Sequence, residues 1–224
     1  MSSFSAVVPG AAPGGSHRPA SGGEAGFDFV AAPTTASSSA SHRFGRELIL
    51  GGQRSGKSRR AEWRAQQWLE AGRSRRAVFI ATAMAHDDEM RARIERHRAD
   101  RAERLPGMVT VEEPLALADA IQLYSAPDRL LVIDCLTLWL ANQYERIDGF
   151  CDGLQAQRFL LALENCPGPL IMVSNEIGFG VVPMGREVRA YVDALGWLNQ
   201  RVAARCDRVC LMAAGLPIHL KDEM

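Results

Sequence analysis

The sequence predicts a single α/β domain with a doubly wound, mainly parallel β-sheet that is covered by helices on both faces. Short, uniformly apolar runs alternate with longer helical stretches from Glu47 onward, which is typical of strands buried on both faces. The first of these runs leads directly into a glycine-rich turn, and a later run ends in the carboxylate of Asp134. In such sheets, ligands bind at the carboxyl ends of the strands.

The predicted elements follow one another in an alternating order. Each predicted strand is a short run of mainly apolar residues. These strands cover residues 48–50, 77–81, 109–111, 130–133, 170–173 and 209–212. The predicted helices show mixed polar and apolar periodicity and cover residues 57–69, 87–101, 114–124, the stretch up to 164, and 186–205. Pro114 suits the first turn of its helix. Residues 216–220 are a candidate hairpin partner for the last strand.

The first 46 residues differ in composition from the remainder of the chain. They are rich in Ser, Ala, Gly and Pro and contain few large apolar residues, so burial cannot offset the entropy cost of ordering them. We expect a disordered, low-complexity tail over residues 1–46 and one globular domain over residues 47–224.

Bulk composition argues against several classes of function. Lys+Arg and Asp+Glu each number 26, so no net charge favours nucleic acid or an anionic membrane as a partner. The five scattered cysteines form no C-x-x-C pair, which argues against a disulfide framework or a zinc site and favours a cytoplasmic location. The apolar runs have strand length and no signal peptide is recognisable, so we expect no membrane insertion.

A phosphate-binding motif follows the first strand. It satisfies G-x-x-x-x-G-K-[ST] with Gly51, Gly52, Gln53, Arg54, Ser55, Gly56, Lys57 and Ser58. In this motif the backbone N–H groups converge on phosphate oxygens at a helix N-terminus. Lys57 is expected to reach the β- and γ-phosphates of ATP or GTP, and Ser58 to ligate Mg²⁺. The motif identifies the domain as P-loop NTPase-like and nucleotide-binding.

Asp134 supplies the second half expected of a P-loop site. It ends the apolar run 130–133, from where its carboxylate could hold the Mg²⁺ shell opposite Ser58. The alternative is that Asp134 only caps the following helix. Together with the phosphate loop, the metal-binding interpretation is favoured.

An arginine-rich helix is predicted just beyond the second strand. Its arginines alternate with Glu95, Asp100 and Glu103, so periodicity alone favours a solvated, salt-bridged face with His97 as one more surface residue. The alternative is a phosphate-facing helix that carries a nucleophilic imidazole.

The segment 174–183 follows another buried strand and contains Gly178, Gly180 and Pro183. Asn175 and Glu176 emerge where ligands are expected. A loop with only a structural role would need the glycines but not these two polar residues, and we therefore interpret the segment as functional.

The chain resembles the bifunctional adenosylcobinamide kinase/adenosylcobinamide-phosphate guanylyltransferase family of cobalamin biosynthesis. The resemblance spans roughly residues 47–220, and the matching blocks are 51–59, 80–82, 87–90, 93–97, 175–183, 199–201 and 207–220. The phosphate loop alone is shared by many proteins. The blocks Asp-Asp-Glu-Met at 87–90 and Asn-Glu-Ile-Gly-Phe-Gly-Val-Val-Pro at 175–183 are far more specific.

This resemblance implies a two-step enzyme. Adenosylcobinamide is phosphorylated with ATP or GTP, and a histidine then attacks the α-phosphate of GTP to give a GMP–histidine intermediate and pyrophosphate. Adenosylcobinamide phosphate accepts the GMP and becomes adenosylcobinamide-GDP. The resemblance further implies a homo-oligomer, with a trimer as the expected form.

The resemblance also implies roles for individual residues. His97 matches the nucleophile, and His86 is a minor alternative at a variable position. Asp134 would complete the Mg²⁺ or phosphate site. The residues expected to line the nucleotide are Thr82, Ala83, Met84, Arg98, Ala99, Asp100, Arg101 and Glu112. Because residues 101–108 depart from the family pattern, Glu113 is an alternative to Glu112.

Two other functions remain compatible with the residues themselves. One is a P-loop small-molecule kinase or NTPase without guanylyltransferase activity, in which His97 would be dispensable. The other is a nucleotide-binding regulatory protein, but a switch needs only the phosphate loop and Mg²⁺ ligands and not the 175–183 block.

Overall fold

The computed structural model describes residues 44–85, 87–143, 150–151 and 153–223. Its strands are β1 Arg46–Gly51, β2 Arg76–Ala81, β3 Met108–Glu112, β4 Arg129–Asp134, β5 Leu170–Val173, β6 Arg208–Ala213 and β7 Leu216–Asp222. Its helices are α1 Lys57–Glu70, α2 Asp88–Arg104, α3 Leu117–Tyr124, α4 Leu136–Ala141, α5 Leu154–Glu164 and α6 Arg186–Arg205.

These strands form one seven-stranded sheet in the order β3-β2-β4-β5-β1-β6-β7. Neighbouring strands from β3 to β6 run parallel, and β7 pairs antiparallel with β6. The predicted α/β class with a mainly parallel, helix-covered sheet is therefore confirmed. The register pairs Ala81 with Asp134 and Asp134 with Val173, so the carboxyl ends of β2, β4 and β5 meet at one edge beside the end of β1.

The core lies on both faces of this sheet, as the uniformly apolar strands require. In β4, Leu131 and Ile133 join one buried cluster, whereas Leu130 and Val132 join the other. This alternation follows from the two-residue period of a strand. The paired clusters leave the strand ends, rather than the sheet faces, as the place for polar chemistry.

Helix α2 continues to Arg104 and does not end at the predicted residue 101. Two further helical predictions differ from the structure for identifiable reasons. The third helix begins at Leu117 and not at Pro114, because the Glu113 carboxylate accepts hydrogen bonds from the N–H groups of Leu115 and Ala116. These hydrogen bonds keep the residues before Leu117 in a non-helical conformation. The helical stretch predicted after β4 contains α4 and α5, and residues 144–149 and 152 between them lie outside the described residues.

The predicted tail falls mostly outside the described structure, which begins at Phe44. Residues 44–46, which the sequence assigned to the tail, are described: the Phe44 ring packs edge-on against Trp68 at 5.1 Å, and Arg46 begins β1. Among the described helices, none combines the length and the apolar character needed to cross a bilayer.

Candidate active site

The phosphate loop turns sharply where β1 ends. Gly51 has φ 149°, and a Cβ atom there would lie 2.5 Å from the carbonyl oxygen of Met212 in β6, so only glycine fits. Gly56 precedes α1 with φ 98°. The N–H of Gly215 donates to the Ser55 carbonyl at 3.1 Å, which ties the loop to the β6–β7 turn.

Lys57 curls back over this loop. Its Nζ donates to the Gly52 carbonyl at 2.7 Å, and the side chain is buried. Burial lowers the pKa of the Lys57 ammonium, while the charge of Asp134 opposes the shift. A phosphate oxygen at the loop would relieve this desolvation by offering the ammonium an anionic partner.

Asp134 is the point on which the site converges. The Ser58 hydroxyl donates a hydrogen bond to its carboxylate, and Arg101, Lys57 and His97 interact with it electrostatically. Although part of Asp134 remains accessible to solvent, desolvation by the surrounding protein outweighs these favourable contacts and raises the pKa of the carboxyl. Four predicted residues thus interact with one carboxylate, Ser58 by a hydrogen bond and the other three through electrostatics.

The same grouping offers oxygen ligands of the kind that Mg²⁺ prefers. The Ser58 hydroxyl and the Asp134 carboxylate are hard donors, and they already contact each other. Among the described residues there is no cluster of three or more His, Cys, Asp or Glu side chains that could hold a metal. This donor set fits Mg²⁺, which commonly takes one or two carboxylates and completes its shell with phosphate and water.

Thr82 shapes the turn beside Asp134. Its hydroxyl donates to the Cys135 carbonyl at 2.7 Å and accepts from the Cys135 N–H at 2.8 Å. Its N–H donates to the Asp134 carbonyl, and its own carbonyl accepts from the Asn142 amide. The fully buried Thr82 therefore positions the end of β4. Ala83 and the exposed Met84 follow it toward solvent.

Helix α2 carries His97 and is well specified at both ends. Asp87 caps its first turn by accepting from the Met90 N–H at 2.7 Å. Asp88 and Glu89 lie in the first turn and Arg101 and Arg104 in the last, which complements the helix dipole.

Helix α2 buries one of its arginines, Arg101, whereas His97 and Arg104 are exposed. His97, Arg101 and Arg104 are spaced i, i+4 and i+7, which places them on the same side of a helix. Arg101 is buried, with its guanidinium carbon 3.9 Å from the centroid of the Phe79 ring. The solvated-face interpretation holds for Arg91, which pairs with Asp88 in solvent, but it is wrong for Arg101.

Glu62 is a candidate site residue that the sequence analysis missed. It is buried on α1, pairs with Arg104 at 3.2 Å, and lies within the electrostatic influence of Arg101 and Asp134. Burial raises the pKa of its carboxyl, and the two arginines oppose that shift. Its signal in the sequence was a carboxylate four residues after Ser58, hence on the same side of α1.

The structure also distinguishes the two neighbouring glutamates at the end of β3. Glu112 is exposed and pairs with Arg98 of α2 at 3.5 Å, whereas the Glu113 carboxylate caps the approach to α3. Glu112 therefore matches the site better. Of the remaining α2 residues, Ala99 is exposed and Asp100 is half-buried. His86 lies outside the described residues.

The segment after β5 is joined to the phosphate loop. The Glu176 N–H donates to the Gly51 carbonyl at 3.1 Å, and the Asn175 N–H donates to the Thr137 hydroxyl at 2.8 Å. The buried Asn199 side chain donates to the Asn175 carbonyl at 3.0 Å. These bonds place the 175–183 block at the same edge of the sheet as Asp134.

Comparison with known proteins connects this geometry to a family. Residues 47–220 match the family model described as cobinamide kinase / cobinamide phosphate guanyltransferase. The bifunctional adenosylcobalamin biosynthesis protein CobP of Pseudomonas aeruginosa is 48% identical over 183 residues, which cover 80% of this chain and 98% of that protein. The CobU proteins of Escherichia coli and Salmonella typhimurium are each 33% identical over 187 residues, which cover 78% of this chain and 98% of each relative.

Proposed function

The chain belongs to the cobinamide kinase / cobinamide phosphate guanyltransferase family, and from this premise we propose that one nucleotide site at the carboxyl edge of the sheet serves both of its reactions. The chain is a bifunctional kinase and guanylyltransferase, as the resemblance implied. The observation that carries the proposal is that Asp134 accepts a hydrogen bond from Ser58 and interacts electrostatically with Lys57, Arg101 and His97.

In the kinase reaction, the phosphate loop and Lys57 hold the triphosphate of ATP or GTP. The acceptor hydroxyl of adenosylcobinamide attacks the γ-phosphorus, and the nucleoside diphosphate leaves. Ser58 and Asp134 would hold Mg²⁺, which supplies charge neutralisation on the β- and γ-phosphates when bound. The chain's own contribution is to position the phosphates and to exclude water.

In the guanylyltransferase reaction, the imidazole of His97 attacks the α-phosphorus of GTP. A nitrogen–phosphorus bond forms, the bond to the β-phosphate oxygen breaks, and pyrophosphate leaves. An oxygen of adenosylcobinamide phosphate then displaces His97 from phosphorus to give adenosylcobinamide-GDP. Arg98 and Arg101 on the same helix supply positive charge to the phosphates. The kinase-only alternative gives this imidazole no role.

Several predicted residues take more specific roles in this proposal. Ala83 and Met84, together with Arg98–Arg101 and Glu112, would line the nucleotide, and the contact between Arg98 and Glu112 supports placing both on one wall of its site. Thr82 acts indirectly by ordering the turn that carries Asp134.

A shared nucleotide site predicts competition between the two reactions. We expect the non-hydrolysable β,γ-imido analogue of ATP to raise the apparent KM for GTP in guanylylation of His97, with an unchanged rate at saturating GTP. The measurement is the rate of α-³²P-GTP incorporation into protein without a corrinoid. Incorporation that is insensitive to the analogue would indicate two separate nucleotide sites.

Glu62 is expected to position His97 through the arginines of α2. Glu62→Gln removes the charge that Arg104 contacts, and we expect guanylylation of His97 to slow about tenfold because a small displacement of a reacting group is costly. The kinase turnover number should change little. Rates of protein labelling and of cobinamide phosphorylation test this prediction.

Comparing the two activities of Glu62→Gln provides an internal control, because Glu62 lies on α1, the helix that follows the phosphate loop. A merely structural defect at this position would slow both reactions equally and would contradict the positioning role. Glu62→Asp should recover part of the labelling rate. Glu103→Gln, an exposed change on α2, should leave both rates unaltered.

We also propose that the chain acts as a homotrimer in the cytoplasm. Exposed leucines, Leu123 on α3 and Leu154 and Leu161 on α5, flank the Asp119–Arg158 ion pair that joins these two helices. This face offers apolar area for contact between copies. The five cysteines are present as thiols, which suits a reducing compartment.

A further inference from the structure

The loop after β5 exposes several apolar side chains to solvent. Val181 and Met184 are each 96% exposed. The exposed apolar residues of this surface are Ile177, Phe179, Val181, Val182 and Met184, together with Val188 in the first turn of α6. We call residues 177–184 the apolar loop. A contiguous apolar surface of this kind is more typical of a binding site than of an ordinary surface loop.

The apolar loop is held in place at both ends. The Glu176 carboxylate accepts from the Gly178 N–H at 2.7 Å. At the far end, the Arg189 guanidinium donates to the carbonyls of Pro183 and Met184 at 2.9 and 2.5 Å. The backbone therefore presents these side chains in a defined arrangement although they have little packing of their own.

The position of the loop restricts what it can bind. Glu176, the residue before it, donates its N–H to the carbonyl of Gly51, so the loop begins directly beside the phosphate loop. The triphosphate is already accounted for by the charged residues around Asp134. A ligand that covers Phe179, Val181 and Val182 must instead present apolar surface.

We propose that the apolar loop is the docking surface for the corrin macrocycle of the acceptor substrate. This inference rests on the proposed function, since the hydroxyl that attacks the γ-phosphorus lies on a short arm of that macrocycle. When this hydroxyl reaches the phosphates held by Lys57, the macrocycle has to lie on the adjacent surface. The methyl-bearing rim of a corrin would supply an apolar partner for the exposed side chains of the loop.

The chain contains a second exposed apolar surface, so contact between copies does not require the apolar loop. The leucine face of α3 and α5 lies on other elements of the fold and can serve contact between copies. The apolar loop, in contrast, is continuous with the phosphate loop through the bond from Glu176 to Gly51. A second copy is nevertheless the competing occupant that the experiment has to distinguish.

The test replaces exposed apolar side chains of the loop by serine. The double variant Phe179→Ser/Val181→Ser and the single variant Met184→Ser remove apolar surface without disturbing the core, because all three residues are exposed. The control is Val109→Ser/Leu220→Ser, which changes exposed residues on β3 and β7 away from the phosphate loop. The KM for cobinamide in the kinase reaction, incorporation of α-³²P-GTP without a corrinoid, and the molar mass by light scattering are measured for each variant.

We expect the double variant to raise the KM for cobinamide about tenfold, as loss of one or two buried apolar contacts implies. Met184→Ser should raise it less, and the control should not change it. Incorporation of GMP and molar mass should stay at the wild-type values. If the wild-type protein itself incorporates no GMP, that result would contradict the proposed function and not the docking surface.

Three results would overturn the inference. An unchanged KM for cobinamide in both loop variants would show that the macrocycle binds elsewhere. A parallel fall in GMP incorporation would assign the loop to the nucleotide site. A smaller molar mass in the loop variants would identify the loop as a contact between copies.

Discussion

Replacement of His97 by alanine is expected to abolish transfer of GMP to cobinamide phosphate and to leave phosphorylation of cobinamide largely intact. Loss of a nucleophile removes the covalent route, so guanylyl transfer should fall about a thousandfold or more. The kinase reaction needs no imidazole, because its acceptor hydroxyl attacks the γ-phosphorus directly. Separate assays of the two products with purified protein measure this difference.

The control for this variant is His219→Ala, which changes an exposed histidine on β7. It should alter neither activity. Equal loss of both activities in His97→Ala would contradict separate roles for His97 and the phosphate loop. Unchanged guanylyl transfer would remove His97 from the mechanism and return it to the surface role that periodicity alone suggested.

Replacement of Asp134 by asparagine should lower both activities about a hundredfold or more, because in the proposed mechanism both reactions use the triphosphate and the Mg²⁺ that Asp134 would hold. The variant should nevertheless be at least as stable as the wild-type protein at neutral pH. Asparagine keeps an oxygen that can accept from Ser58 but carries no charge to desolvate. Thermal unfolding and the two activity assays test both expectations.

The sign of the stability effect follows from the pKa of Asp134. Burial raises this pKa, so the folded state binds a proton more tightly than the unfolded state does. The group therefore favours folding at low pH, and this contribution is lost as the pH rises through the unfolded and then the folded pKa.

Asp128→Asn is a matched control, because Asp128 is exposed in the turn before β4, at the opposite end of this strand from Asp134. It should preserve both activities. An Asp134→Asn variant that keeps most of its activity would contradict the assignment of Asp134 to the nucleotide site. A clearly lower melting temperature would show that Asp134 contributes to folding through contacts that asparagine cannot make.

The elements nearest the phosphates could be predicted because their signals are local. The apolar run before Gly51 and the helix from Lys57 follow from strand composition and from the motif itself. The strand that ends in Asp134 was equally recognisable. Helix α6 was predicted at its observed bounds, Arg186–Arg205, since a long periodic pattern defines a helix well.

The contacts that build the site could not be read from the sequence, because they join residues from different elements. Glu62 and Arg104 are far apart along the chain and meet only in the folded protein, where Arg104 of α2 pairs with Glu62 of α1. Arg101 looks like any other arginine of its helix until its guanidinium is placed over Phe79. The capping role of Glu113 likewise depends on where β3 ends.

The most direct test of the account is isolation of the covalent intermediate. The purified protein is incubated with Mg²⁺ and α-³²P-GTP in the absence of a corrinoid, denatured, digested, and the labelled peptide is identified by mass spectrometry. The account predicts label that survives alkali, is released by acid, and maps to His97. Tight binding of GTP without covalent label, or label on another residue, would contradict it.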